Sequence, residues 1–295
     1  MKFGIAMIYK RVDESAPNPG DFARECETLG LESVWVGDHM LFPGHPTTRF
    51  PLGDGTIPEH YAHFPEPFIV LAMAAATTKN LRIGTSVLLV PEHPPLATAK
   101  RIATLDRLSN GRLILGVGAG WLREAAVPLG SDFDHRWTQT EEYVGAMREL
   151  WSKPSASFHG KYVNFDDIVV NPKPVRPLGP PILIGSADRR AQRWVARWGD
   201  GYMPIAFEAD KAVDYMRTQL AELREECSKA GRDYNKMDIT VMMLSLPDER
   251  AKVQEIIGGM AELGVHRMVE VSSAEPLFGV GDYRAKLERL VNIAL

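Results

Sequence analysis

Two cysteines in 295 residues, Cys26 and Cys227, are too few for a disulfide framework. Both fall in stretches with helical periodicity, far apart along the chain, and read as reduced thiols packed inside helices. No run approaches the roughly 20 apolar residues that span a bilayer. Basic residues number 34 against 38 acidic ones, and the net charge of −4 offers no footprint for nucleic acid. The opening stretch from Met1 to Tyr9 carries an apolar run too short for a signal peptide and lacks a small-residue cleavage site. These absences lead to the expectation of a cytoplasmic, enzyme-sized protein that acts on a small-molecule substrate, with neither nucleic acid nor a membrane as partner.

What is present is most informative between residues 81 and 124. Leu81 to Val90 is rich in aliphatic and β-branched residues, which reads as a strand buried on both faces, and Pro91 stops it. Pro94-Pro95 opens a helix with apolar or small residues at Leu96, Ala99, Ile102, Ala103, Leu105 and Leu108, closed by Asn110-Gly111. A second strand follows from Leu113 to Val117. A connection of this length is a right-handed crossover between parallel strands, because antiparallel neighbours need only a tight turn. Both strands therefore end on one edge, and ligands of parallel α/β folds bind outside carboxyl strand ends.

The same unit recurs. Candidate strands fall at 2–8, 33–37, 81–90, 112–117, 181–185, 201–205, 237–246 and 267–271, with helices near 20–30, 66–79, 95–109, 135–152, 188–198, 209–230, 248–263 and 279–294. Eight alternations match a single (β/α)8 TIM barrel domain over 1–295; a doubly wound open sheet is the runner-up. Residues 40–65 form a long insertion after strand two and belong to the pocket's wall. Residues 154–180, before strand five, contain a small hairpin turning at Gly160.

Several stretches bear on chemistry. Gly116, Gly118 and Gly120 imitate a dinucleotide fingerprint, but Trp121 stands where its third glycine belongs and the run follows the wrong strand. Close approach of backbone to a flat ligand explains these glycines better. His39, next to Asp38 at the end of strand two, is a candidate general acid or base. His45, His60 and His63 lack a tight metal-ligand spacing and read as solvated loop residues, so no metal is expected. Gly185-Ser186-Ala187-Asp188 leads into a helix whose first amides could bind phosphate, with Ser186 adding a hydroxyl donor; ordinary N-capping by Ser186 is the plainer reading, and the two are compatible. Strand one ends Met7-Ile8-Tyr9 without a His-x-His, strand four ends in glycines, and no strand end offers a clear Schiff-base lysine. These absences favour an organic redox cofactor.

The stretches Val34-Trp-Val-Gly-Asp-His39, Leu81-Arg-Ile-Gly-Thr-Ser-Val-Leu88, Thr104-Leu-Asp-Arg-Leu-Ser-Asn-Gly-Arg112, Gly116-Val-Gly-Ala-Gly-Trp121, Pro180-Pro-Ile-Leu-Ile-Gly185 and Gly199-Asp-Gly-Tyr202 together resemble the luciferase-like monooxygenase superfamily. That resemblance covers residues 1 to about 206 and implies a (β/α)8 barrel binding FMN or the deazaflavin coenzyme F420. Asp-His after strand two is similar to the F420-dependent branch. It implies that His39 sits beside the reactive carbon of the deazaflavin, and that Ser86-Val87 is a non-prolyl cis peptide behind its central ring. Asp38, Ser86, Val87, Leu89, Glu124, Gly185, Ser186 and Ala187 would line the cofactor, and the protein would be a homodimer. Where sugar-phosphate-oxidising members carry a catalytic glutamate, this chain has Trp121, read as an aromatic wall for an apolar substrate or as core packing. The resulting expectation is an F420-dependent oxidoreductase, with an FMN-dependent monooxygenase or a non-catalytic flavin-binding protein as alternatives.

Overall fold

In a computed structural model, which describes residues 1–7, 17–51, 53–186, 188, 190–271 and 283–294, eight parallel strands close into a barrel. They are β1 (Lys2–Ala6), β2 (Ser33–Val36), β3 (Arg82–Leu89), β4 (Leu113–Gly118), β5 (Ile182–Ile184), β6 in two pieces (Gly201–Tyr202 and Ile205–Ala206), β7 (Asp238–Met243) and β8 (Arg267–Glu270). Each pairs with the next, and β8 returns to β1 with Lys2 opposite Arg267, so no edge is left open. Among the described residues, eight helices of two turns or more cover the outside: α1 (Pro19–Thr28), α2 (Pro67–Thr77), α3 (Pro95–Leu108), α4 (Arg136–Ser152), α5 (Ala191–Trp198), α6 (Ala212–Lys229), α7 (Arg250–Glu262) and α8 (Tyr283–Ala294), with one further turn of helix at Arg123–Ala126 after β4.

Local signals account for most boundaries. Proline occupies the first turn of α1, α2 and α3, where its missing N–H costs nothing. Asn18 caps α1, accepting from the Gly20 and Asp21 amides at 2.9 and 3.4 Å. The left-handed pair Asn110 and Gly111, at φ 57° and 76°, ends α3 and turns the chain into β4. Cys26 and Cys227 are free and buried in α1 and α6, as expected.

Other boundaries differ from the sequence reading. β6 is broken because Pro204 lies in its middle without an N–H for the ladder; only its carbonyl serves, accepting from Met242 at 2.9 Å. Helix α5 begins at Ala191, later than expected. Ser186 does not cap it: its hydroxyl accepts from the Asp188 amide at 3.0 Å, and the Asp188 carboxylate in turn takes the Arg190 amide at 2.8 Å. Two successive side-chain turns use up the residues that would have formed the first helical turn. The ends of the first expected strand and the start of the last expected helix lie outside the described residues.

Two insertions depart from the barrel. Ala156–His159 and Asn164–Ile168 form the antiparallel hairpin expected around Gly160. The Glu142 carboxylate in α4 holds it by accepting amides of Lys161, Tyr162 and Val163. The second insertion, after β2, folds back over the barrel mouth.

The interior is layered. Ala6, Trp35, Ile114, Leu183, Met203, Met242 and Val269 fill the upper barrel, each nearly or fully buried. Beneath them, Arg267 is 1% exposed at the amino end of β8. Its guanidinium donates to both Glu32 oxygens at 2.7 and 2.9 Å and to the Thr240 hydroxyl at 2.8 Å, with Asp238 at 3.4 Å. The Trp35 ring lies over it at 5.7 Å. Among the described residues no helix is long and apolar enough to cross a membrane.

Candidate active site

Strand β2 delivers Gly37, Asp38 and His39 to the carboxyl end of the barrel. A Cβ on Gly37 would meet the Phe64 ring at 2.9 Å, so glycine lets that ring lie against the strand end. The two residues that follow turn in opposite directions. Asp38 points inward and is 3% exposed. His39 stacks on Phe64 at 5.6 Å between ring centroids and meets Tyr61 and Trp121 edge-on at 5.3 and 5.9 Å. Its Nδ1 has no hydrogen-bond partner among the described residues. Burial pushes the imidazole down to about 4, against the pull of the Asp38 carboxylate and with a small push from His60. At neutral pH the ring is therefore uncharged, with one nitrogen available to give or take a proton.

Strand β3 is irregular where the site needs it to be. The Ser86–Val87 peptide is cis, as the resemblance implied, and the ladder to β4 shifts between Thr85 and Leu88. The Val87 side chain lies between two glycines. A Cβ on Gly118 would come within 2.6 Å of one Val87 methyl, and a Cβ on Gly185 within 2.5 Å of the other. Val87, Ile205 and Leu244 are half-buried and sit on the upper barrel layer. They make an apolar floor with no side chain rising from its glycine borders. Glycine at both positions is what lets the branched Val87 side chain seat at the barrel mouth, since any Cβ there would collide with its methyls.

The remaining expected residues take several positions. Gly185 and Ser186 are half-buried beside Val87; Ala187 lies outside the described residues. Leu89 is buried, and its amide donates to Asp38 Oδ2 at 2.9 Å. Glu124 reaches the insertion after β2: its carboxylate accepts the Thr47 amide and hydroxyl at 2.7 and 2.6 Å and the Thr48 amide and hydroxyl at 2.8 and 2.6 Å. These bonds hold that carboxyl well below the usual range. Trp121 packs edge-on against Phe50 at 5.2 Å, so it joins a wall of Phe50, Tyr61 and Phe64 that closes over His39.

Two features escaped the sequence reading. His60 is not a solvated loop residue: it is 5% exposed, packs against Tyr61 at 4.9 Å, and burial pushes its pKa down. The aromatic residues spaced through 50–64 were the available sign that this insertion folds onto itself. The second feature is the buried set Asp38, Glu92 and His93, with His93 Nε2 donating to Asp38 Oδ2 at 2.7 Å. An acidic residue and a histidine flanked by Pro91 and Pro94, at a strand's carboxyl end, was its sequence mark.

A closed parallel barrel with an apolar floor and a half-buried imidazole at its carboxyl edge defines a (β/α)8 protein whose candidate site lies at the carboxyl ends of its strands. The profile of the luciferase-like monooxygenase family matches residues 1–287, and the chain belongs to that family. An uncharacterized protein of Mycobacterium tuberculosis is 33% identical over 98% of this chain and 97% of its own length. An F420-dependent glucose-6-phosphate dehydrogenase of Kineococcus radiotolerans is 32% identical over 87% of this chain and 72% of its own. Among solved structures, an F420-dependent secondary alcohol dehydrogenase in complex with an F420-acetone adduct superposes with a TM-score of 0.72 at 18% identity, covering 99% of this chain and 97% of that one. That last likeness bears on the fold alone.

Proposed function

We propose that this chain is an F420-dependent oxidoreductase, moving a hydride between the deazaflavin and a small organic carbonyl, alcohol or activated alkene. The observation that carries the reading is the Val87 side chain seated between Gly118 and Gly185 at the carboxyl strand ends, together with a neutral His39 whose Nδ1 is unpartnered among the described residues. The F420-dependent relative at 32% identity supports the choice of cofactor. When bound, the deazaflavin would supply the hydride chemistry. The chain's own residues do the rest. Val87, Ile205 and Leu244 would hold the ring face, while Gly185 and Ser186 would meet its polar side chain. Phe50, Tyr61, Phe64 and Trp121 exclude water. His39 would hold or release a proton at Nδ1 as charge develops on the substrate oxygen.

Trp121 in place of a carboxylate, within an aromatic wall, supports an apolar substrate over a sugar phosphate. The family's monooxygenase name favours one second reading, in which FMN occupies the same floor and oxygen is co-substrate. Two copies of the chain would form a homodimer through the outer face of α2. Ile69, Ala72, Met73 and Ala76 are exposed there at helical spacing.

Absorbance and fluorescence titration of the purified protein with each cofactor separates the readings. Micromolar binding of F420 without comparable binding of FMN is expected; the converse overturns the cofactor assignment. His39→Ala is expected to lower turnover about 10²- to 10⁴-fold with cofactor affinity retained. Unchanged turnover removes His39 from the chemistry, and the absence of any turnover in the wild type leaves a binding protein.

A further inference from the structure

Next to His39 in the chain, Asp38 belongs to a closed group of three titratable side chains that the proposed chemistry does not use. Asp38, Glu92 and His93 are 3%, 2% and 2% exposed. Their bonding is uneven. Asp38 Oδ2 accepts from the Leu89 amide and from His93 Nε2, whereas neither Glu92 oxygen has a hydrogen-bond partner among the described residues. Asp38 Oδ1 and His93 Nδ1 are likewise unpartnered. Glu92 lies directly beneath the glycine turn after β4, since a Cβ on Gly120 would meet its Oε1 at 2.7 Å.

Two carboxyl groups in one buried space cannot both ionise cheaply, and the one with donors keeps the charge. Asp38 has two donors and Glu92 has none, so the proton belongs on Glu92. We propose that Glu92 is a positioning residue for the site: a buried carboxylic acid that holds one proton and keeps a single negative charge, on Asp38, next to His39 in the chain. The inference rests on the reading of His39 as the working imidazole, and it concerns how that imidazole is tuned.

Among the described residues, no lysine or arginine pairs with either Glu92 oxygen. Asp38 and His39 follow β2, and His93 is its neighbour. Helix α4, which packs on the same turn, begins with Arg136, and that guanidinium gives Nε to the Gly120 carbonyl and Nη1 to the Phe133 carbonyl. Burial and the Asp38 charge push Glu92 up to about 8, which agrees with the bonding pattern. Asp38 is also the one charge acting on both Glu92 and His39, and so links the two.

The test needs no cofactor in its first arm. In the cofactor-free wild type, the Glu92 side-chain carboxyl ¹³C resonance, assigned through bonds, is expected to titrate near pH 8. The His39 ring resonances should show a matching step that Glu92→Gln abolishes. Titration of Glu92 in the ordinary carboxylate range overturns the proposal, as does a His39 step that survives in Glu92→Gln. The second arm is the turnover profile with F420. Wild-type activity is expected to change about threefold or more across a limb centred near pH 8, and that limb should be missing in Glu92→Gln. A limb retained in the variant overturns the assignment. If F420 does not bind, the cofactor reading fails while the first arm still decides the role of Glu92.

Discussion

The two ends of this barrel treat buried charge in opposite ways. At the amino end, Arg267 is satisfied on every side by Glu32, Thr240 and Asp238, with the Trp35 face above it. At the carboxyl end, Asp38, His39, Glu92 and His93 lie within two adjacent strand ends and leave five polar atoms without partners among the described residues. Burying an unpartnered polar atom costs about 1–3 kcal/mol, so the carboxyl end is held in place at the expense of stability and the amino end repays part of it. The difference separates an end of the barrel whose buried charges are all paired from one whose polar atoms are left without protein partners among the described residues.

The largest effect that could break this comparison is the pH dependence of stability. Glu92 has its pKa raised to about 8 in the fold, from an ordinary 4.5. The folded state therefore keeps a proton that the unfolded chain loses. Stability should be highest below pH 4.5 on this account, fall as pH rises toward 8, and level off above, by up to roughly 5 kcal/mol for a shift of this size. His39 works in the opposite sense. With its pKa lowered to about 4, it stays neutral in the fold while the unfolded chain takes up a proton below 6.5, so its contribution grows as pH rises from 4 to 6.5. The two slopes oppose each other in the acid range, and Glu92 acts alone between pH 6.5 and 8. Denaturant titrations of wild type and Glu92→Gln at pH 5, 6.5 and 8 isolate it: the variant should lose the decline above 6.5. Parallel curves would show that the mouth carries no such strain.

Arg267→Met comes next. It keeps the side-chain volume but leaves Glu32 and Asp238 facing a buried gap, and loss of one partner from a buried pair costs about 3–5 kcal/mol. The carboxylates are partly exposed, with side chains 22% and 31% accessible, so the lower end of that range is expected. Urea unfolding should report the loss, while cofactor affinity of the folded fraction remains within about twofold, because the substitution is at the far end of the barrel. A large change in affinity would mean that the two ends are not separable.

The same division explains what could be read from the chain alone. All eight strands and eight helices announce themselves by apolar runs, proline starts and glycine stops. His39 and Gly118 were legible too, because they sit at strand ends where residue order dictates position, whereas the cis peptide at Ser86-Val87, inside β3, was implied only by the family resemblance. What stayed hidden depended on contacts between segments. His60 reads as a solvated residue until the insertion folds over it, and Glu92 gains its role only when β2 brings Asp38 beside it. Ser186 reads as a helix cap, yet Asp188 competes for the next amide and delays the helix. Glu124, expected beside the cofactor, has both oxygens taken up by Thr47 and Thr48, a pairing across more than seventy residues that no local pattern encodes.

Glu124 sharpens the comparison with the smallest effect, because it is a satisfied charge at the otherwise unsatisfied end. Its four hydrogen bonds tie the start of the insertion to the turn after β4, the same two segments that Phe50 and Trp121 join by ring contact. If the carboxylate latches the wall over His39, Glu124→Gln and Thr48→Val should each weaken cofactor or substrate binding by about fivefold with little change in unfolding, since a hydrogen bond to a charged group is worth about 1.5–3 kcal/mol before solvent exposure is allowed for. Combining them should add little to either alone, because both break one interaction. If the carboxylate instead meets the cofactor directly, the two losses should multiply, and Thr48→Val alone should be nearly silent. Measured affinities of the two single variants and the double variant therefore decide whether the mouth owns a structural charge of its own or only functional ones.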